Sequence, residues 1–103
     1  MPITESPKPL AFDWDKGNIN KNLAKHHVSD QECEEVFATD KVIFAEDFLH
    51  SSFEARYIAI GPSAFGRLLY IAYTLRNNLV RVISARDTSK KERKFYEETF
   101  KSA

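Results

Sequence analysis

Arg56-Tyr57-Ile58-Ala59-Ile60, Arg67-Leu68-Leu69-Tyr70-Ile71-Ala72-Tyr73-Thr74 and Leu79-Val80-Arg81-Val82-Ile83-Ser84-Ala85-Arg86 follow one another in the second half of the chain, parted by Gly61 to Gly66 and by Asn77-Asn78. Each run is rich in β-branched and aromatic residues, which suit a pleated, half-buried surface, so three strands are predicted. Connections this short join antiparallel neighbours, which makes the three a meander. Asn tolerates positive φ, so Asn77-Asn78 is read as a two-residue primed turn that pairs Arg76 with Leu79 and therefore Leu69 with Arg86. Symmetric closure of the Gly61 to Gly66 loop then sets Ile60 opposite Arg67 and Arg56 opposite Ile71.

That register has a chemical consequence. Arg56, Arg67 and Arg86 fall on one face of the sheet near the strand ends, while Tyr57, Tyr70 and Arg81 fall on the other. One arginine on a strand more often snorkels to water or pairs with an acid such as Asp13, Asp15 or Glu92. Three converging guanidiniums repel one another, and their planar forks suit a phosphate, so the set points to an anion site. A shift of one residue in the register would scatter it.

The first half supplies helices. Ile19, Asn22, Leu23 and His26 recur at helical spacing, so a helix is predicted from about Lys16 to His26, with His27 as a left-handed C-terminal residue and Val28 packing back. Ser29-Asp30-Gln31-Glu32 matches a capping box and opens a second helix that carries Cys33, Val36 and Phe37 inward and stops near Asp40. Phe12 to Asp15 and Val42 to Ala45 read as short strands, and Glu46 to Ser52 as an exposed loop in which His50 is solvated. Ser89-Lys90-Lys91-Glu92 is a second capping box, and the helix it opens carries Phe95, Tyr96 and Phe100. The sum is an α+β domain with an antiparallel sheet of about four strands, two N-terminal helices and one C-terminal helix.

At 103 residues, 43% of them hydrophobic and 13% aromatic, the chain suits one core, read as a single domain over 11–103 behind a proline-punctuated tail over 1–10. No run approaches the roughly 18 apolar residues of a membrane span, and the N-terminus has no signal-peptide core, so a cytoplasmic protein is expected. The single cysteine, Cys33, excludes a disulfide framework and reads as a small core hydrophobe. The adjacent His26 and His27 cannot easily aim both rings at one metal. Trp14 reads as core. Formal charge is zero overall, yet residues 1–50 sum to −5 and residues 51–103 to +5. A basic half suits local contact with a polyanion; a neutral total does not suit tight non-specific grip of nucleic acid.

The order of motifs carries a further reading. Phe12-Asp13-Trp14-Asp15-Lys16, Asn22 to Ser29, Glu35-Val36-Phe37, Arg56 to Gly61, Gly66 to Tyr70, and Arg81 to Arg86 leading to Glu92-Arg93 and Tyr96 together resemble the BrnT family of toxins over about residues 12–98. The resemblance implies a RelE-like fold and a ribonuclease toxin, neutralised by a BrnA-like ribbon-helix-helix antitoxin that reaches operator DNA. The family usually has Gly where this chain has His27. A ribonuclease that works without metal needs a base, an acid and cations for the charge growing on phosphorus. On that basis Arg56, Arg67 and Arg86 are expected on the scissile phosphate and His26 or Tyr96 in proton transfer. Arg81, Arg93, Tyr70 and Lys90 are expected along the RNA, with no cofactor. The competing reading is a non-catalytic module that docks a DNA-binding antitoxin for autoregulation.

Overall fold

A computed structural model describes residues 3–7, 10–47, 49 and 53–101. In chain order they form β1 (Ile3–Thr4), α1 (Lys21–His26), α2 (Asp30–Ala38), β2 (Ile43–Glu46), β3 (Arg56–Pro62), β4 (Leu68–Arg76), β5 (Leu79–Asp87) and α3 (Lys90–Lys101). The strands make one antiparallel sheet in the order β1-β2-β3-β4-β5. The α+β class is as expected; the strand count is five rather than about four. The additional strand is Ile3–Thr4, which pairs with Ala45 and Phe44 from within the stretch read as a tail. No helix among the described residues is long and apolar enough to cross a membrane. His50, read as solvated, lies outside the described residues.

Local capping rules set both helices of the first half. At the end of α1, His27 adopts φ 58° and ψ 33°, and the Val28 amide donates to the Asn22 carbonyl at 3.1 Å. Val28 is fully buried beneath this closure. A left-handed conformation costs a β-carbon-bearing residue about 1 kcal/mol, so His27→Gly should raise stability by about 0.5–1 kcal/mol, read as a higher denaturant midpoint at unchanged m. Ser29 and Glu32 form the reciprocal capping box of α2, which turns Cys33, Val36 and Phe37 into the core. Burial pushes the Cys33 thiol up to about 12, so it is an inert core group.

α1 is shorter than its apolar spacing suggests. Residues 16–20 are turns, Ile19 and Leu23 are about half exposed, and the polar member of the stripe, Asn22, is the one buried. The reason lies at the edge of β5, where backbone groups need partners. Asn22 Oδ1 accepts from the Ala85 amide at 3.0 Å, and Asn18 Nδ2 donates to the Val82 carbonyl at 3.3 Å. The Val80 amide donates to the Ala11 carbonyl at 2.7 Å, so residues 11–22 close that edge without a full sixth strand.

Two faces of the sheet are buried separately. Phe44, Ala59, Leu69, Ile71, Tyr73, Val80, Val82 and Ala85 meet Val28, Cys33, Val36 and Phe37 beneath α1 and α2. Phe37 is the hub there, with ring centroids 5.2 Å from Phe12, 5.7 Å from Phe44 and 5.0 Å from Tyr73. Trp14 packs against the same cluster, as expected of a core residue. On the other face Ile43, Ile58, Ile60 and Leu68 are covered by Phe95 and Tyr96 of α3, with Tyr70 beside them.

The register corrects the arginine reading. Asn77 and Asn78 have φ 52° and 65°, and Arg76 pairs with Leu79 as the turn requires. Between Ala72 and Tyr73 the partner strand carries one extra residue, Ile83, so Arg86 faces Tyr70 instead of Leu69. β3 also runs on through Pro62, whose rung is Leu68, with Gly66 at φ 78° closing the shorter loop. Arg56 therefore faces Thr74, which faces Arg81. By strand alternation Arg56, Arg81, Arg86 and Tyr70 share the α3 face, whereas Tyr57 and Arg67 turn to the helical core side. The expected three-arginine cluster is not formed. The Arg56–Arg81 row and Arg86 are four rungs apart, about 13 Å along the strand.

Candidate functional site

The end of β5 gathers two arginine–carboxylate pairs, one on each face. Arg67 Nε donates to Asp87 Oδ1 at 2.6 Å and Nη2 to Oδ2 at 3.1 Å. The same guanidinium donates to the carbonyls of His27 at 2.8 Å and His26 at 3.0 Å, and lies 3.7 Å from Glu32. It thus ties the C-terminal end of α1 and the start of α2 to the end of the sheet. The Arg67 fork holds the Asp87 carboxyl below its ordinary range, and the charges of Arg93 and His26 add to this. The charges of His26, Arg67 and Arg93 thus all act on Asp87, although they come from α1, the β3–β4 loop and α3.

Across the sheet, Arg86 makes a bidentate pair with Glu92, at 2.8 and 2.9 Å, and lies over the Tyr70 ring with its central carbon 4.4 Å from the centroid. Its Nη1 also donates to the Asp87 carbonyl at 3.1 Å, which joins the two pairs through one residue. The Glu92 position is set by local chemistry, since it is the third residue of the capping box that opens α3. Ser89 N donates to Glu92 Oε1 at 2.8 Å and Glu92 N to Ser89 Oγ at 3.2 Å. Burial alone would raise the Glu92 carboxyl, but the Arg86 fork and the Ser89 amide outweigh it and hold it low. Burial raises the Tyr70 phenol, so it stays protonated at neutral pH. Lys90 and Arg93 are exposed on the first turns of α3.

The remaining sequence-derived candidates lie elsewhere. Arg81 is held by Asp15 at 2.9 Å and Asp13 at 3.4 Å and is only 14% exposed, so it fastens residues 11–18 onto β5. Gly17 makes room for this, because a β-carbon there would come within 2.8 Å of Arg81 Nη2. Arg56 lines a hollow of about 200 Å³ with Arg76, Arg81, Lys21 and Glu54, away from the β5 end. The Tyr96 hydroxyl donates to the Lys41 carbonyl at 2.6 Å, and its ring packs on the α3-side core. Asp87 was not singled out from the sequence. Its signal was available only as an acid next to Arg86, and the bulge that turns it toward Arg67 has no sequence mark of its own.

The arrangement offers a histidine, three arginines and a lysine around one strand end. That chemistry fits a phosphodiester, and comparison with known proteins bears on the class. A search of curated proteins returned no match. The profile of the family described as the ribonuclease toxin BrnT of type II toxin–antitoxin systems matches residues 14–92. The match runs from Trp14 through His26, Arg67 and Arg86 to Glu92, and stops short of Arg93 and Tyr96. Spanning α1, α2, strands β2 to β5 and the start of α3, it shows that the chain belongs to the BrnT family of type II toxin–antitoxin ribonuclease toxins.

Proposed function

We propose that the chain is a metal-independent endoribonuclease whose active site is the end of β5. The 2′-hydroxyl attacks the adjacent phosphorus and the 5′-oxygen of the next nucleotide leaves, which yields a 2′,3′-cyclic phosphate and a free 5′-hydroxyl. Arg86 stabilises the charge that grows on the non-bridging oxygens, with Arg93 and Lys90 on flanking phosphates, while Arg67, committed to Asp87 and the end of α1, positions the strand end. His26 is the proton-handling group of this reading, since its carbonyl is held by Arg67 and its charge acts on Asp87, whereas Tyr96 is engaged with Lys41. Tyr70 carries the Arg86 guanidinium over its ring and so sets its position beside the RNA. The observation that carries the proposal is the joining of the Arg67 and Arg86 pairs through Asp87.

RNA cleavage of this kind stops translation, and the α+β build agrees with a RelE-like toxin. As a type II toxin, the protein has an antitoxin partner. A BrnA-like ribbon-helix-helix protein that carries the pair to operator DNA is the form we assign to it. The experiment is incubation of an end-labelled RNA with the purified, antitoxin-free chain in EDTA, followed by analysis of the new 3′ end. Cyclic phosphate termini are the expected products. A folded chain that leaves the RNA intact overturns the reading and favours a docking module. That alternative has its own support, because Arg67, Arg81 and Arg86 are all already paired with carboxylates of the chain.

A further inference from the structure

We propose that Glu92 is an internal stand-in for an RNA phosphate, holding Arg86 in the free protein and yielding the guanidinium to a phosphate when RNA binds. This rests on the assignment of RNA cleavage to the end of β5. The fork that Arg86 presents to Glu92, two parallel N–H donors at 2.8 and 2.9 Å, is the geometry that an arginine presents to phosphate oxygens. A phosphate can take that edge of the guanidinium only if the carboxylate leaves. Of the two side chains Arg86 is the more accessible, 36% exposed against 17% for Glu92.

The exchange leaves no group orphaned. Ser89 is exposed, so its amide and the displaced Glu92 carboxylate turn to water, and Arg86 keeps the Tyr70 ring and the Asp87 carbonyl. The guanidinium therefore stays oriented while its anion changes. Exposed Lys90, Lys91 and Arg93 on the same turns of α3 bring a polyanion close enough to compete. The cation that the phosphate gives up to Arg86 is balanced by one that the freed Glu92 carboxylate takes up, so this arginine is silent in the salt dependence of the unaltered chain.

The test is binding of an oligoribonucleotide with 2′-O-methyl groups, which lacks the attacking hydroxyl, by the unaltered chain and by Glu92→Gln over a range of salt. Glutamine still serves the capping box, so the helix start is retained. Glu92→Gln should bind about three- to tenfold more tightly. Its plot of log affinity against log salt should be steeper by about 0.7, the value for one more phosphate neutralised on a single strand. Equal affinity and equal slope overturn the proposal. A second measurement needs no substitution: the Glu92 side-chain carboxyl resonance of the unaltered chain should move when the oligonucleotide is added, and an unmoved resonance in the bound state overturns it. Absence of both binding and cleavage in either chain sinks the ribonuclease site itself. Cleavage that is lost in Arg86→Ala but indifferent to Glu92→Gln sinks only the stand-in.

Discussion

Arg86→Ala should cut RNA at least about a hundredfold more slowly than the unaltered chain while remaining folded, a loss of roughly 2.7 kcal/mol of transition-state stabilisation. The guanidinium is held over Tyr70 and by the Asp87 carbonyl, so it is oriented before substrate arrives and needs no reordering as charge develops on phosphorus. The substitution also frees the Glu92 carboxylate beside the substrate, where it repels a phosphate. The double variant Arg86→Ala with Glu92→Gln separates the two effects, because any activity it regains over Arg86→Ala measures that repulsion. Single-turnover cleavage in EDTA, with circular dichroism to confirm the fold, checks the prediction. A folded Arg86→Ala that retains more than about a tenth of the rate removes Arg86 from the site.

Arg67→Ala should fail in a different way, through the structure. This one side chain satisfies both oxygens of Asp87 and the carbonyls of His26 and His27, and it is 28% exposed. Removing it leaves charge-assisted hydrogen bonds unmade at three places, largely open to water, and should cost about 1–2 kcal/mol. For a domain of about this size that lowers Tm by roughly 5–15 °C. Because the two carbonyls belong to His26 and to the residue after it, the loss also loosens the proton-handling group, and cleavage falls even well below Tm. Arg67→Lys should recover little of either, since an ammonium cannot fork to a carboxylate and two carbonyls at once. Differential scanning calorimetry and cleavage at low temperature read the two effects apart. An Arg67→Ala chain with unchanged Tm would show that the tie between α1 and the sheet carries no weight.

The contrast between these two arginines was hidden in the sequence, where both were read as phosphate ligands on one face. Much else was legible. Ser29 with Glu32 and Ser89 with Glu92 marked two helix starts, His27 marked a left-handed helix end, and Asn77-Asn78 marked the turn that pairs Arg76 with Leu79. Each of these is a short-range matter of which backbone group a nearby side chain or positive φ can satisfy, so a few residues suffice to state it. The same holds for Cys33, Val36 and Phe37, whose helical spacing placed them inward.

What the sequence by itself determined is therefore the α+β class, the meander, the caps and most of the core. The tertiary structure decided which charges meet. Ile83 is the extra residue that lets both Val82 and Ala85 pack beneath the helices, and the same step turns Arg86 to the α3 face and Asp87 toward Arg67. A three-residue difference in the β3–β4 register moves Arg56 away from both. Side chains alternate on a strand with a period of two, so one inserted residue reverses everything after it. The choice is made by packing against helices some fifty residues distant in the chain, and no local pattern records it.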